Sequence, residues 1–436
     1  MRFRLTPLGL AVLFLQPHFS TAQPIPDTAA RTTQTSVTAS TVLTLDAAID
    51  RAFQHNPGLR AVTQDLEIAR GQRLQAGKFI NPQLSYLQEG TKKGRRVTTV
   101  ELSQEVELGG KRAARTSVAD RERAIAAADL AAYRANLRAD VVTAYFDVLA
   151  AQERLSLAQA SQQLSERVTA AAGRRVQAGR ISPVEETRAR VAEATTRIEL
   201  SQAGTELELA RRRLSATWGL AGGQIGVVET PPAPAVDRPM AQLATSLAGA
   251  PQLARARLEV DRQQALATLE RTRRMPNLTV TLGTQRDEQA GTRQGVVGIA
   301  VPLPFFDRNQ GNLLSALRRT DKARDELAAT QARASTELEQ ASLRLAAARS
   351  ELALLQSDIL PGARSAYEAT SKGFELGKFN FLDVLDAQRS LNQAKAQYIA
   401  ALAASYRAAA DIERLVGAVD ENGHITNPLA IPGNTQ

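Results

Sequence analysis

The sequence predicts an α+β chain, mostly α, built as a tandem repeat of long coiled-coil helical hairpins with two β-hairpins. Three observations predict it. Apolar residues recur at steps of three and four along very long Ala/Arg/Glu-rich runs, as they do on one face of a helix. Two shorter stretches alternate apolar and polar residues with the period of a strand. The whole order of features then occurs a second time, with equivalent residues 194 to 198 positions apart.

Composition narrows the class. Aromatics make up only 4% of the 436 residues, few for a thick globular core but enough for thin helical layers packed on alanine. The formal net charge is +9. Such an excess fits either a polyanion partner or a solvated helix surface. Glu and Asp interleave with Arg at helical spacings and no basic block is flanked by stacking aromatics, so the surface is favoured and no nucleic-acid partner is expected. The absence of cysteine excludes disulfides and thiolate metal ligands.

Residues 1–22 read as a signal peptide. Arg2 and Arg4 supply the charge, Leu8 to Leu15 the apolar core, and Ser20-Thr21-Ala22 the small-residue cleavage site. That core is too short to span a bilayer as a helix, and no cysteine follows it to carry a lipid. Residues 23–43, rich in Thr, Ser, Ala and Pro, read as a flexible tail.

The first repeat, 44–220, opens with a helical region from Leu45 to about Lys78 that breaks near His55-Asn56-Pro57. A β-hairpin follows over 82–108. In its second strand Val100, Leu102, Val106 and Leu108 alternate with Thr99, Glu101, Ser103, Glu105 and Glu107. A helical hairpin then fills 111–218. Leu130, Tyr133, Leu137, Val141, Ala144, Val148, Ala151 and Leu155 form a seam with small residues at many positions, and the first rod is about 100 Å long. Gly179 suits the left-handed residue that closes this rod. Ser182 with Glu185 is expected to form a capping box around Pro183, opening the second.

Residues 221–240 are an irregular, proline-rich connection. The second repeat, 241–418, restates the first: Asn56-Pro57 returns as Ala250-Pro251, and Asn81-Pro82 as Met275-Pro276. Its β-hairpin spans 277–305, with Val297, Ile299, Val301, Leu303 and Phe305 on the apolar face. Pro302 and Pro304 confine that stretch to an edge or a strand end. Its helical hairpin spans 308–417 with a kink expected at Pro361 and a tip at Leu376-Gly377-Lys378. Asn380 and Asp383 mark the start of the last helix. Residues 419–436 form a C-terminal tail.

Four strands with one apolar face cannot close a membrane barrel, which begins at eight. The strands are long enough to cross an outer membrane at a tilt, so they either pool between subunits or pack as a soluble sheet on helices. Periodicity alone leaves both open.

The two-copy repeat, Glu107-Leu108-Gly109-Gly110-Lys111-Arg112 after a strand, and Gly377 to Gln388 with its Asp-Val-Leu-Asp core resemble the TolC-like outer-membrane efflux factors over essentially the whole chain. Pro304-Phe305-Phe306-Asp307-Arg308-Asn309-Gln310-Gly311 is similar to the heavy-metal resistance branch of that family, the CzcC and CnrC type. The resemblance implies a homotrimer whose twelve-stranded outer-membrane β-barrel continues as a periplasmic α-helical barrel. It also implies a periplasmic membrane-fusion adaptor, an inner-membrane RND pump and contact with outer-membrane lipid. Divalent cations of the cobalt, zinc, cadmium and nickel class are the implied cargo.

By the same resemblance Asp383 and Asp386 match an acidic ring at the periplasmic aperture. Their spacing puts them on one helix face, although capping alone would also explain Asp383. Glu185 matches a gate-latch carboxylate whose partners would be Phe374 and Phe379. Neither supplies a charge or a hydroxyl, so the gate is expected to rest on apolar contacts. Gly179, Arg180, Ser182, Leu376, Gly377, Lys378 and Asn380 match the tips that meet the adaptor. Only the second copy carries the paired Asp, which places the expected gate there, with the first tip as its scaffold.

Other chemistry finds no footing. Gly109-Gly110-Lys111 lacks the earlier glycine and the following hydroxyl of a phosphate loop. His18, His55 and His424 are isolated, and Met240 and Met275 are the only methionines after the signal, so no metal-binding cluster and no cofactor are expected. No nucleophile-and-base set suggests an enzyme. The alternatives are a similar channel for organic toxins or type I secretion, and a periplasmic coiled-coil protein without a pore.

Overall fold

The computed structural model describes residues 42–219, 225–232, 240–376, 378–379 and 381–416. The signal peptide, most of the 23–43 tail, parts of the 221–240 connection, Gly377, Asn380 and the C-terminal tail lie outside the described residues.

The helices begin where the local chemistry directs. Thr44 Oγ1 accepts the Ala47 N–H at 3.3 Å to start α1, Leu45–His55. Asn56 Oδ1 accepts the Leu59 N–H at 2.8 Å, and Pro57 occupies the first position of α2, Pro57–Ala76. The Asn56 amide also donates to Thr217 O at 2.8 Å. One side chain therefore starts a helix and ties it to the far end of the first helical hairpin. Ala250, its counterpart in the second copy, offers no side-chain cap, so the repeat in sequence is not a repeat in bonding.

The strands β1, Gln83–Glu89, and β2, Val97–Val106, form the first hairpin; β3, Leu278–Asp287, and β4, Thr292–Ala300, form the second. β2 also pairs with β3, antiparallel, joining both hairpins into one sheet in the order β1-β2-β3-β4. The register sets Leu84 against Leu102, Tyr86 against Val100, Leu102 against Leu282, and Leu282 against Val297. By pleat alternation these residues share one face with Val106, Val280 and Ile299, while Gln83, Ser85, Glu101, Ser103, Glu105, Thr279 and Thr281 share the other. The apolar face is bare: Leu84 is 72%, Val297 76% and Ile299 72% exposed. The described helices of this chain therefore do not cover that face. β4 ends at Ala300, five residues before Phe305, because Pro302 and Pro304 have no N–H to donate to a ladder.

The helical hairpins are α3, Lys111–Gln177, with α4, Pro183–Ala216, and α7, Gln310–Leu354, with α8, Leu360–Glu375, and α9, Phe381–Val416. The short α5, Met240–Ser246, and α6, Pro251–Thr272, precede β3. Between α7 and α8 the chain widens into a π turn, Leu355–Ile359, in which the Leu360 N–H reaches Leu355 O. Pro361 cannot make the usual bond to the fourth residue before it, and the widened turn absorbs the break expected there.

The long helix α3 packs along α2 and α4 of its own repeat and along α6 and α9 of the other. Its core holds Val141, Tyr145, Phe146 and Val148, all fully buried, with Leu149, Leu214 and Trp218 beside them. The Trp218 indole donates to Ala48 O at 3.0 Å. The Tyr145 hydroxyl lies 2.6 Å from Glu229 O and 2.9 Å from Leu43 O, stitching two remote segments to the core. Leu43 is therefore no part of a free tail. It is buried and bridges Val228 in parallel, while the Gln152 amide clasps the Val228 backbone in both directions.

A joint links sheet to helices. Arg115 in the first turns of α3 holds the Glu107 carboxylate with both terminal nitrogens, and donates to Ala76 O and Lys78 O at 3.2 Å each. The end of β2, the end of α2 and the start of α3 thus meet on one guanidinium. The Glu107 carboxylate beside it raises the pKa of Arg115 further above its ordinary value. On the second copy's side Lys111 reaches Asn277, whose amide donates to Glu105.

Burial pushes the Tyr145 hydroxyl up to about 12. Its unfolded value is near 10, so its contribution is complete below that pH and is lost as pH rises through the folded value. Tyr145→Phe should cost about 1–2 kcal/mol at neutral pH. It should also remove part of the stability loss above about pH 10, both read from denaturation curves at several pH values.

Candidate functional site

The first hairpin tip is closed by a complete Schellman motif. Gly179 adopts φ +68°, its N–H bonds Val176 O at 2.9 Å, and the Arg180 N–H bonds Arg175 O at 2.9 Å. The expected capping box does not form. Ser182 Oγ accepts from the Val184 N–H at 3.3 Å, and the Glu185 carboxylate turns away to pair with Arg188 at 3.1 Å. A charged partner one turn along the exposed helix face outcompetes the neutral backbone N–H that the box would offer. Glu186, not Glu185, is the half-buried acid of this tip. It lies against Gly173 of α3 and pairs with Arg190.

The second tip closes by the same physics. The Lys378 N–H bonds Gly373 O at 2.7 Å, a six-residue bond like that from Arg180 to Arg175. The Phe379 ring lies directly on Gly373. A Cβ there would sit 2.2 Å from a ring carbon, so only glycine allows the contact. Sequence reasoning passed over Gly373; its place six residues before a half-exposed aromatic beyond a helix end was the available signal. Phe374 stands beside Gly373 in α8, and its side chain is outside the described residues.

Asp383 and Asp386 occupy the first turns of α9. Val384 and Gln388 are buried against the helical wall, while Asp383 is half-buried and Asp386, about 200° round the helix from Val384, is exposed. The Asp386 carbonyl accepts the Ser390 hydroxyl at 3.0 Å. The two carboxylates therefore flank one side of the helix start. The other predicted tip residues Arg180, Ser182, Leu376 and Lys378 are exposed. Glu185 and Phe379 are each engaged within their own hairpin, the first with Arg188 and the second on Gly373.

Two further features went unread in the sequence. Val184, Val191 and Ile198, spaced by seven on α4, are all exposed. The seven-residue spacing of a coiled-coil seam is visible in the sequence, but only the structure shows that this stripe is left open beside α3. At the helical end of the sheet Phe79, Phe305 and Phe306 are exposed, with Phe306 at 95% and the Arg112 guanidinium 4.0 Å from the Phe79 ring centroid. Among the described residues no helix is long and apolar enough to cross a membrane, and no group of three or more His, Cys, Asp or Glu side chains is placed to hold a metal ion.

The sequence profile described as "Outer membrane efflux protein" matches residues 48–220 and 243–418, one match for each copy. The chain belongs to the outer membrane efflux protein family. This is a family of transport channels, not of enzymes. The chain is 44% identical over 430 residues to the cobalt-zinc-cadmium resistance protein CzcC of Cupriavidus metallidurans, covering 96% of this chain and 100% of that one. It is 25% identical to the nickel-cobalt-cadmium resistance protein NccC of Alcaligenes xylosoxydans xylosoxydans, over 62% of this chain and 63% of that one. Among solved structures it is similar to CusC, whose structures concern folding and transmembrane channel formation, with a TM-score of 0.72 and 19% identity over 86% of this chain and 92% of that one. The outer membrane protein VceC of Vibrio cholerae gives 0.70 and 20%, over 86% and 96%. Identities this low establish a shared fold.

Gly373→Ala should reduce protection of the α8 amides in hydrogen exchange by about 1 kcal/mol, the ring clash exceeding the gain in helix propensity. In a Phe379→Ala background the same change should instead raise protection by up to about 1 kcal/mol.

Proposed function

We propose that this chain is the outer-membrane duct of a tripartite efflux system that carries divalent heavy-metal cations to the exterior. The observation that carries the reading is the sheet: four strands, two open edges and a bare apolar face. Closing such a sheet needs more strands than one chain has, and three copies would supply twelve. β2 and β3 have ten residues each, the length a tilted barrel strand needs to cross the apolar layer. Phe79, Phe305 and Phe306 then fall at one interface as an aromatic girdle. The exposed stripe Val184, Val191 and Ile198 supports the same assembly, because a seven-residue apolar seam asks for a neighbouring helix. The metal-cation cargo rests on likeness to CzcC over nearly the whole chain.

In this reading residues 1–22 direct export and are removed. The helical hairpins extend from the barrel into the periplasm, and an inner-membrane RND pump with a periplasmic adaptor feeds them. The tips around Gly179, Arg180 and Ser182, and around Leu376, Gly377, Lys378 and Asn380, receive the adaptor. Asp383 and Asp386 from three copies gather six carboxylates at the aperture, a ring that concentrates divalent cations and repels anions. Glu185, Phe374 and Phe379 would be the groups that latch the closed gate. With no charge or hydroxyl on either phenylalanine, closure rests on apolar packing of the kind Phe379 makes with Gly373.

Deleting the gene should lower tolerance to cobalt, zinc, cadmium or nickel, with complementation restoring it. Unchanged metal tolerance beside lost drug tolerance would reassign the cargo to organic toxins. A second outcome concerns the aperture. Asp383→Ala with Asp386→Ala should weaken divalent-cation block of the pore in planar bilayers, at a stability cost of about 1 kcal/mol from the lost helix-dipole partner. Unchanged block would leave both residues as helix-start groups.

A further inference from the structure

We propose that Arg286 and Arg293, with Lys92, Lys93 and Arg95 beside them, form a docking surface for the phosphate groups of a phosphorylated glycolipid in the outer leaflet. The inference rests on the channel reading above and goes beyond it to a specific ligand chemistry.

Arg286 of β3 and Arg293 of β4 are direct cross-strand partners, and Arg286 also faces Thr98 of β2. Alternation puts both arginines on the same sheet face as Leu102, Leu282 and Val297. Like charges set directly opposite on one face destabilise a sheet unless something neutralises them. Among the described residues nothing does so. Both arginines are exposed, and neither side chain makes an ion pair or hydrogen bond within the described residues. The nearby acids are committed elsewhere. Glu288 pairs with Arg96 at 3.4 Å and accepts the Gly94 N–H at 3.0 Å. Asp287 accepts the Gln289 and Ala290 N–H groups within its turn, and by alternation starts from the opposite face.

The depth is also informative. Arg286 lies four residues beyond Leu282, about 13 Å along the strand, at the end of the sheet opposite Phe79, Phe305 and Phe306. If the aromatic end marks the periplasmic interface, the arginine pair lies at headgroup height on the outer side, with the apolar band between. Lys92, Lys93 and Arg95 crown the neighbouring turn, all exposed. The two turns are tied together by the Glu288 N–H bond to Arg96 O at 3.0 Å, so the basic groups are held as one surface. Many of the helix arginines, by contrast, are matched with Glu or Asp one turn away. Part of the chain's positive excess is thus concentrated where a phosphorylated lipid surface would meet it, next to a face that lipid tails would cover.

The test uses the full-length channel purified in detergent as its intact assembly. It is mixed with lipid A bearing two phosphates or with the same lipid dephosphorylated, and bound lipid is counted by native mass spectrometry. The expected result is retention of the phosphorylated lipid, lowered about tenfold or more in the Arg286→Gln, Arg293→Gln double variant. The Arg286→Lys, Arg293→Lys double variant should keep most of the binding. Equal retention of both lipids by wild type, or equal retention by wild type and the Gln variant, would overturn the proposal. So would complete displacement by millimolar inorganic phosphate, which would indicate a free-anion site. If the Gln variant does not assemble, the wild-type comparison of the two lipids decides alone. Planar-bilayer conductance of the same preparations separates this from the channel reading: a wild type that neither assembles nor conducts would sink the channel, whereas a conducting wild type indifferent to lipid phosphates would sink only the lipid site.

Discussion

A four-stranded antiparallel sheet with an uncovered apolar face cannot be content in water, and most of the rest of the molecule answers that constraint. β1 and β4 each leave a row of backbone donors and acceptors without strand partners, while Leu84, Leu282, Val297 and Ile299 leave apolar surface without a cover. In a globular domain a helix would lie across that face. Here the helices leave the sheet from one end instead, and the bonds of Arg115 to Glu107, Ala76 and Lys78 fix where strand gives way to helix. The same constraint leaves both the face and the edges to be covered by something other than this chain's own described helices.

The helical part solves a different problem. A wall one or two helices thick has little interior, so alanine brings the backbones close and the few large side chains are concentrated around Tyr145, Phe146 and Trp218. Of these, the Tyr145 hydroxyl reaches the backbone carbonyls of the remote segments containing Leu43 and Glu229, and the Trp218 indole that of Ala48. The core is thereby a clasp between chain segments distant in sequence as well as a packing centre. The π turn before Pro361 lets the second copy's longer helical run continue past a residue that ordinarily breaks one.

The two copies share order but not chemistry. Both tips carry the same six-residue backbone bond, yet one is followed by a carboxylate paired to Arg188 and the other by Asp383 and Asp386 beside a phenylalanine seated on glycine. Asn56 caps and ties in the first copy, where Ala250 does neither in the second. Divergence after repetition has thus given the two copies different side-chain bonds at equivalent places. Sequence order alone announced the asymmetry at the acids. For Gly373 it offered only a spacing to Phe379, because what makes that glycine necessary is a ring folded back across a turn.

The sequence by itself determined the elements: where helices start and stop, the two hairpins, the glycine turn at 179 and the disruption at Pro361. These depend on caps, periods and missing N–H groups within a few residues of one another. The tertiary structure decided what lies beyond local reach. It joined the two hairpins through β2 and β3, left their apolar face bare, and directed Glu185 to Arg188 instead of a capping box. It also turned the Val184 stripe outward and set Arg286 opposite Arg293. Each of those depends on which remote groups compete for the same bond or surface, and that competition is settled only when the chain has folded.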